Sequence, residues 1–305
     1  MVTWTSRFLA ILATTLIASV ALSAQKTFDK HFNVAPGGHL IVDADLGSVA
    51  VVGRAGHEVV VHGEMSGSDE FLARLSITAE QDSSGVTVTA RRAPESWLGW
   101  FGLFGLSGER VSFTIDVPRD CSVELKTSGG SLDVRNVNAP VWGRTSGGGI
   151  VVRDVAGSVK MHTSGGGIDA EHINGTTELR TSGGSISVAD ATGDLDVHTS
   201  GGGIRLKNID GGVSAVTSGG SVYAEMRSNR GITLRTSGGG ITLSLPESVR
   251  ASVDARTSGG HVSSALRFTS TEAADRSHLH GEINGGGEEV VLHTSGGSIH
   301  LGPLT

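Results

Sequence analysis

The sequence predicts an all-β fold, a two-sheet parallel β-solenoid of about 18 residues per turn behind an irregular N-terminal β-rich region. Three observations carry this. The chain holds 46 glycines but one tyrosine, with no collagen period, and such a glycine content marks either disorder or a turn-rich repeat. The quartet Thr-Ser-Gly-Gly begins at Thr127, Thr145, Thr163, Thr181, Thr199, Thr217, Thr236, Thr257 and Thr294, and a fixed period in this range signals a solenoid. Five residues after each of these threonines stands Leu132, Ile150, Ile168, Ile186, Ile204, Val222, Ile241, Val262 and Ile299, apolar every time.

The N-terminal stretch "MVTWTSRFLAILATTLIASVALSAQ" has one early positive charge at Arg7, an apolar run from Phe8 to Ala21, and small residues around Ala21, Ser23 and Ala24. This layout predicts a cleavable secretory signal over residues 1–24. Its apolar run falls short of the roughly twenty residues that cross a bilayer. The mature chain then begins near Gln25. The single cysteine, Cys121, can form no internal disulfide, so packing and hydrogen bonds must hold an exported chain together. It reads as a small buried hydrophobe in a strand.

Residues 25–126 carry looser patterns. "VDADLGSVAVVG", from Val42, aligns with "LKTSGGSLDVRN", from Leu125, which sets Val49 and Val51 on Leu132 and Val134 and predicts an atypical first turn. "DEFLARL" from Asp69, with Ser68 as N-cap, predicts the one short helix. "RLSITAE", "GVTVTARR", "RVSFTIDVP" and "SVELKT" alternate as strands do, with "QDSSG" as a turn.

Residues 127–305 are the repeat. Positions five and seven after the threonine form one period-two pair, and two alternate positions ahead of the next threonine form another, as in Val159 with Met161 and Leu195 with Val197. Each turn is therefore two short strands joined by two corners, the glycine quartet and an "NV" or "DV" corner such as "RNVNAP" or "RDVAGS". A left-handed hexapeptide helix needs inward residues at five, eleven and seventeen. Position eleven holds Asn138, Ala156, Asn174, Thr192 and Asp210, and seventeen is basic, so that phase fails and a flattened two-sheet solenoid remains. The same alternation turns the threonine inward. A column of buried hydroxyls is then expected to satisfy itself from turn to turn, while the two glycines supply positive φ and a side-chain-free corner. The 37-residue step between Thr257 and Thr294 is close to two periods, which predicts one degenerate turn between them.

The chain resembles the bacterial "putative adhesin" family of exported β-strand-repeat proteins. The resemblance rests on "GGHLIVDADLGSVAVVG", "VSFTIDVPRDCSVELKTSGGSLDV" and "GEINGGGEEVVLHTSGGSIHL". It implies a β-solenoid at the cell envelope and brings no catalytic residue.

For chemistry, the motifs exclude more than they offer. A phosphate-gripping glycine loop needs a helix behind it, and every quartet leads into a strand. Calcium-binding β-rolls need an aspartate in each turn, whereas the matching position runs Asp133, Val151, Asp169, Ser187, Arg205, Tyr223. Glycoside hydrolysis needs two carboxylates, usually with aromatic platforms; Asp169 and Glu171 share a face, but the repeat has Trp142 as its one tryptophan and Tyr223 as its one tyrosine. "SHLHGE" sets His278 and His280 two apart; a closed zinc site wants four ligands, so they read as surface histidines. The expectation is no catalytic residue, no metal and no cofactor. A formal charge of −7 speaks against nucleic acid as a partner.

The informative residue precedes each threonine: Lys126, Arg144, His162, Arg180, His198, Val216, Arg235, Arg256 and His293. Facing outward, these line up along the solenoid, either as a ladder paired with Glu124, Glu178, Asp196 and Asp254, or as a track for a linear anionic polymer. Such a polymer would be an anionic glycan or another envelope component. A second outlier, "SWLGWFGLFGL" over residues 96–106, brings Trp97, Trp100, Phe101 and Phe104 together, either over the open solenoid end or as a loop for peripheral membrane or partner contact. The expected role is a non-enzymatic adhesin-like binding protein in the periplasm, at the outer-membrane surface or outside the cell. The rivals are a polysaccharide-processing β-helix enzyme and a purely structural envelope component.

Overall fold

The structure is a computed structural model that describes residues 24–93 and 108–304; the stretch 1–24 read as a secretory signal, apart from Ala24, and the apolar stretch 96–106 lie outside them. Eight elements precede the repeat: β1 (Ala24–Asn33), β2 (His39–Ala44), β3 (Ser48–Arg54), β4 (Glu58–Gly67), α1 (Asp69–Arg74), β5 (Leu75–Gln81), β6 (Gly85–Arg92) and β7 (Arg110–Pro118). Two-strand turns follow: β8 (Ser122–Thr127) with β9 (Leu132–Val137), β10 (Val141–Arg144) with β11 (Ile150–Ala156), and β12 (Val159–His162) with β13 (Ile168–Asn174). Next come β14 (Thr177–Thr181) with β15 (Ile186–Thr192), β16 (Leu195–Thr199) with β17 (Ile204–Asp210), β18 (Val213–Thr217) with β19 (Val222–Met226), and β20 (Ile232–Thr236) with β21 (Ile241–Leu245). The chain ends with β22 (Ala251–Thr257), β23 (Val262–Ser264), β24 (Ser270–Ala274), β25 (His278–Ile283), β26 (Glu289–Thr294) and β27 (Ile299–Pro303).

These strands make two long, mostly parallel sheets. Sheet I runs β1-β4-β7-β3-β9-β11-β13-β15-β17-β19-β21-β27-β23, and sheet II runs β24-β25-β22-β26-β20-β18-β16-β14-β12-β10-β8-β2-β6-β5. The predicted two-sheet solenoid is therefore present, and one continuous apolar core lies between the sheets from Val34 to Leu301. Val49 pairs with Leu132 and Val51 with Val134 in register, as the aligned segments predict. Ser68 caps α1, its hydroxyl accepting from the Phe71 amide at 3.1 Å.

Three details differ from the expectation. First, no degenerate turn lies between Thr257 and Thr294. Instead β24 and β25 form an antiparallel hairpin on β22, and the chain returns so that β26 and β27 insert between β20/β21 and β22/β23. The other end mirrors this, because β2 and β3 insert between β6/β7 and β8/β9. The extra residues of the long step are the return path.

Second, the threonines do not bond one another. All nine are buried, none more than 6% exposed. Each hydroxyl donates at 2.6–2.8 Å to the carbonyl of the last glycine in the neighbouring turn's quartet, or to Gly47 in the atypical turn. The corner carbonyl thus takes the donor that the column of hydroxyls was expected to share.

Third, the quartet glycines are not in the left-handed region. In the regular turns from β9 to β17 the non-glycine residues of positive φ lie in the opposite corner, at Asn136, Asp154, His172, Asp190 and Asn208, with φ of 54–62°. That single left-handed residue shifts the alternation by one, so that Val137, Val155, Ile173, Ala191 and Ile209 point back into the core. The second glycine is needed for space instead. A Cβ at Gly148, Gly166, Gly184 or Gly202 would stand 2.1 Å from the carbonyl oxygen one turn below.

Candidate functional site

Sheet II fixes the column ahead of the threonines. Its residues face solvent because their neighbours on either side are core. In the ladder, Lys126 stands beside Arg144, Arg144 beside His162, then Arg180, His198, Val216 and Arg235 follow in register. The inserted turn sets His293 between Arg235 and Arg256. All nine residues named from the sequence thus share one stripe, in an order that the chain order does not give. Adjacent rungs of a sheet are about 4.8 Å apart.

The stripe is unevenly neutralised. Lys126 Nζ lies 2.7 Å from Glu124, and Arg180 lies 2.7 Å from both Glu178 and Asp196. Arg256 is 2.8 Å from Asp254. These three follow the ladder reading. Arg144 and Arg235 are exposed, and neither has an ion-pair partner among the described residues. Exposed pairs of this kind contribute about 0–1 kcal/mol each, so they set the field more than the stability.

Around Arg144 the stripe gains residues that the sequence reasoning missed. Trp142 and Lys160 lie on the same outward face, two residues before Arg144 and His162, in register with each other. Lys126 Nζ sits 5.1 Å from the centre of the Trp142 ring, a cation–π distance. Lys160 reaches Glu178 at 2.8 Å. Alternation from Arg144 back to Trp142 was the available signal. The result is a basic patch of Lys126, Arg144, Lys160 and His162 around one half-buried indole.

The field of this patch is visible in His162. Burial, then the positive charges of Arg144 and Arg180, hold its imidazole below the ordinary histidine range. At the far end of the chain's single-cysteine question, Cys121 is fully buried, and burial, with help from Asp120, pushes its thiol up to about 11. A thiol that remains protonated is a packing group and not a nucleophile. Glu171, weighed as a catalytic acid, faces Arg153 of the preceding turn at 3.2 Å. Trp97, Trp100, Phe101 and Phe104 lie outside the described residues.

Comparison with known proteins places the chain clearly. The model of the family described as Toastrack DUF4097 matches residues 42–302. No curated protein matches the chain. A crystal structure from Parabacteroides merdae, described as a putative adhesin, is 9% identical with a TM-score of 0.48, covering 92% of this chain and 97% of that one. One from Bacteroides fragilis, also described as a putative adhesin, is 12% identical with a TM-score of 0.41, covering 90% and 97%. A third, from Parabacteroides distasonis and described as a putative lipid binding protein, is 11% identical with a TM-score of 0.44, covering 92% and 97%.

Proposed function

This chain belongs to the Toastrack DUF4097 family, and from that premise we propose that it is an exported, non-enzymatic, adhesin-like module whose sheet II face binds a linear polyanion. An acidic polysaccharide of the cell envelope fits best. The observation that supports this reading is the stripe itself: cationic side chains at a regular repeat, with Arg144 and Arg235 exposed and without a carboxylate partner among the described residues. Repeated charge suits a repeated anion, since each rung can meet a similar group on the polymer.

The test uses the full chain and sulfated dextran at low salt, because exposed charges are screened at high salt. R144E/R235E should weaken binding at least about tenfold, which corresponds to about 1.4 kcal/mol. R180E should weaken it less, because Arg180 is already held by Glu178 and Asp196. Unchanged binding in R144E/R235E would remove the basis for the proposal.

A further inference from the structure

The hairpin that closes the C-terminal end of sheet II brings together groups that are far apart in sequence. β25 runs antiparallel to β22, with Asp254 opposite His280 and Arg256 opposite His278. Asp254 and His280 therefore project from the same face, and His278, two residues along, projects with them. One ligand atom from each of Asp254, His278 and His280 lies within 4.8 Å of the other two. His278 Nε2 is already 3.1 Å from Asp254 Oδ1. Tetrahedral coordination at bond lengths of about 2.0–2.1 Å needs ligand atoms roughly 3.4 Å apart, so one pair is near that separation and the third group has at most about 1.4 Å to close.

His280 supplies a second, independent observation. Its Nδ1 is buried and has no hydrogen-bond partner among the described residues, and an unsatisfied buried polar atom is costly. Its other nitrogen, Nε2, lies 3.2 Å from Glu272 on β24. A carboxylate behind one ring nitrogen, with the other nitrogen unused, is the arrangement that orients a metal-ligating histidine.

We propose that Asp254, His278 and His280 form a divalent transition-metal site of the zinc type, with Glu272 orienting His280 and a fourth position open to solvent. The sequence shows only the two histidines of "SHLHGE"; the third ligand comes from a strand 24 residues earlier, across the antiparallel pair. Two imidazoles and one carboxylate suit zinc better than calcium or magnesium, which prefer all-oxygen shells. The bound ion ties β22 to the hairpin that covers the sheet end. Arg256 must yield, because its Nε donates to the same Asp254 oxygen at 2.8 Å, and an exposed pair yields at little cost.

The experiment is calorimetric titration of the metal-free full chain with Zn2+, with thermal unfolding of each variant as a fold control. The wild-type chain should bind one equivalent and unfold at a higher temperature with the metal. H278A/H280A should bind at least about 100-fold more weakly and lose the thermal shift. E272Q, which leaves all three ligands, should bind about tenfold more weakly. H172A disrupts the other cluster of possible ligands, Glu171, His172 and Asp190, and should bind as wild type does. No saturable binding up to about 1 mM Zn2+, or binding that survives in H278A/H280A or disappears in H172A, would overturn the proposal.

Discussion

At the residue scale the repeat is governed by two atoms of the quartet. The buried Thr163 hydroxyl donates to the half-buried Gly148 carbonyl at 2.8 Å. Thr163→Val removes this hydrogen bond, which should cost about 1 kcal/mol in urea unfolding. The two glycines should respond very differently to the same change. A Cβ at Gly166 meets the Gly148 oxygen at 2.1 Å, whereas one at Gly165 has nothing nearer than 3.5 Å. Gly166→Ala should therefore destabilise the chain by several kcal/mol, on the order of 3 or more, and Gly165→Ala by less than about 1 kcal/mol. Equal losses in the two variants would contradict the crowding argument. His162 adds a pH term. Its lowered value means that the folded chain binds fewer protons than the unfolded chain as pH falls below about 6.5. Stability must then decline with falling pH across that window, and H162Q should decline less in urea midpoints measured from pH 7 to pH 5.

At the element scale, the strands and their inward positions were legible because the repeat imposes period-two pairs at fixed offsets. Val49 and Val51 fell on their partners for the same reason. What stayed hidden was any contact that sequence spacing cannot encode. The return of β26 and β27 between β20/β21 and β22/β23 looks, in sequence, like a missing turn. The meeting of Asp254 with His280 depends on that same hairpin. Position ten of each turn, as in Val155 and Ile173, was missed because a left-handed residue at position nine resets the alternation. The inserted layers have a physical consequence. β26 and β27 bury Val290, Leu292, Ile299 and Leu301 between turns on both sides, each such side chain contributing about 1.5–3 kcal/mol. Removing residues 288–305 deletes an inner layer and not an end cap. Thermal unfolding of that truncation should show a loss of more than about 10 °C or no cooperative transition at all. A midpoint near that of the full chain would argue against the insertion.

At the scale of the whole molecule, a net charge of −7 coexists with one stripe of basic and histidine side chains, interrupted at Val216. The solenoid converts a residue repeated along the chain into a linear surface feature, so binding strength should scale with the number of charged rungs. Five of those rungs, Lys126, Arg144, Arg180, Arg235 and Arg256, are lysine or arginine and stay charged at neutral and mildly basic pH. The most direct measurement is the affinity of the full chain for sulfated dextran at pH 8 in one low salt, for wild type, R144Q, R144Q/R235Q and R144Q/R180Q/R235Q. The stripe predicts a stepwise fall as each cation is removed, at least about tenfold in total, and a wild-type affinity that drops in high salt. Equal affinity across the series, or wild-type binding that ignores salt, would contradict it.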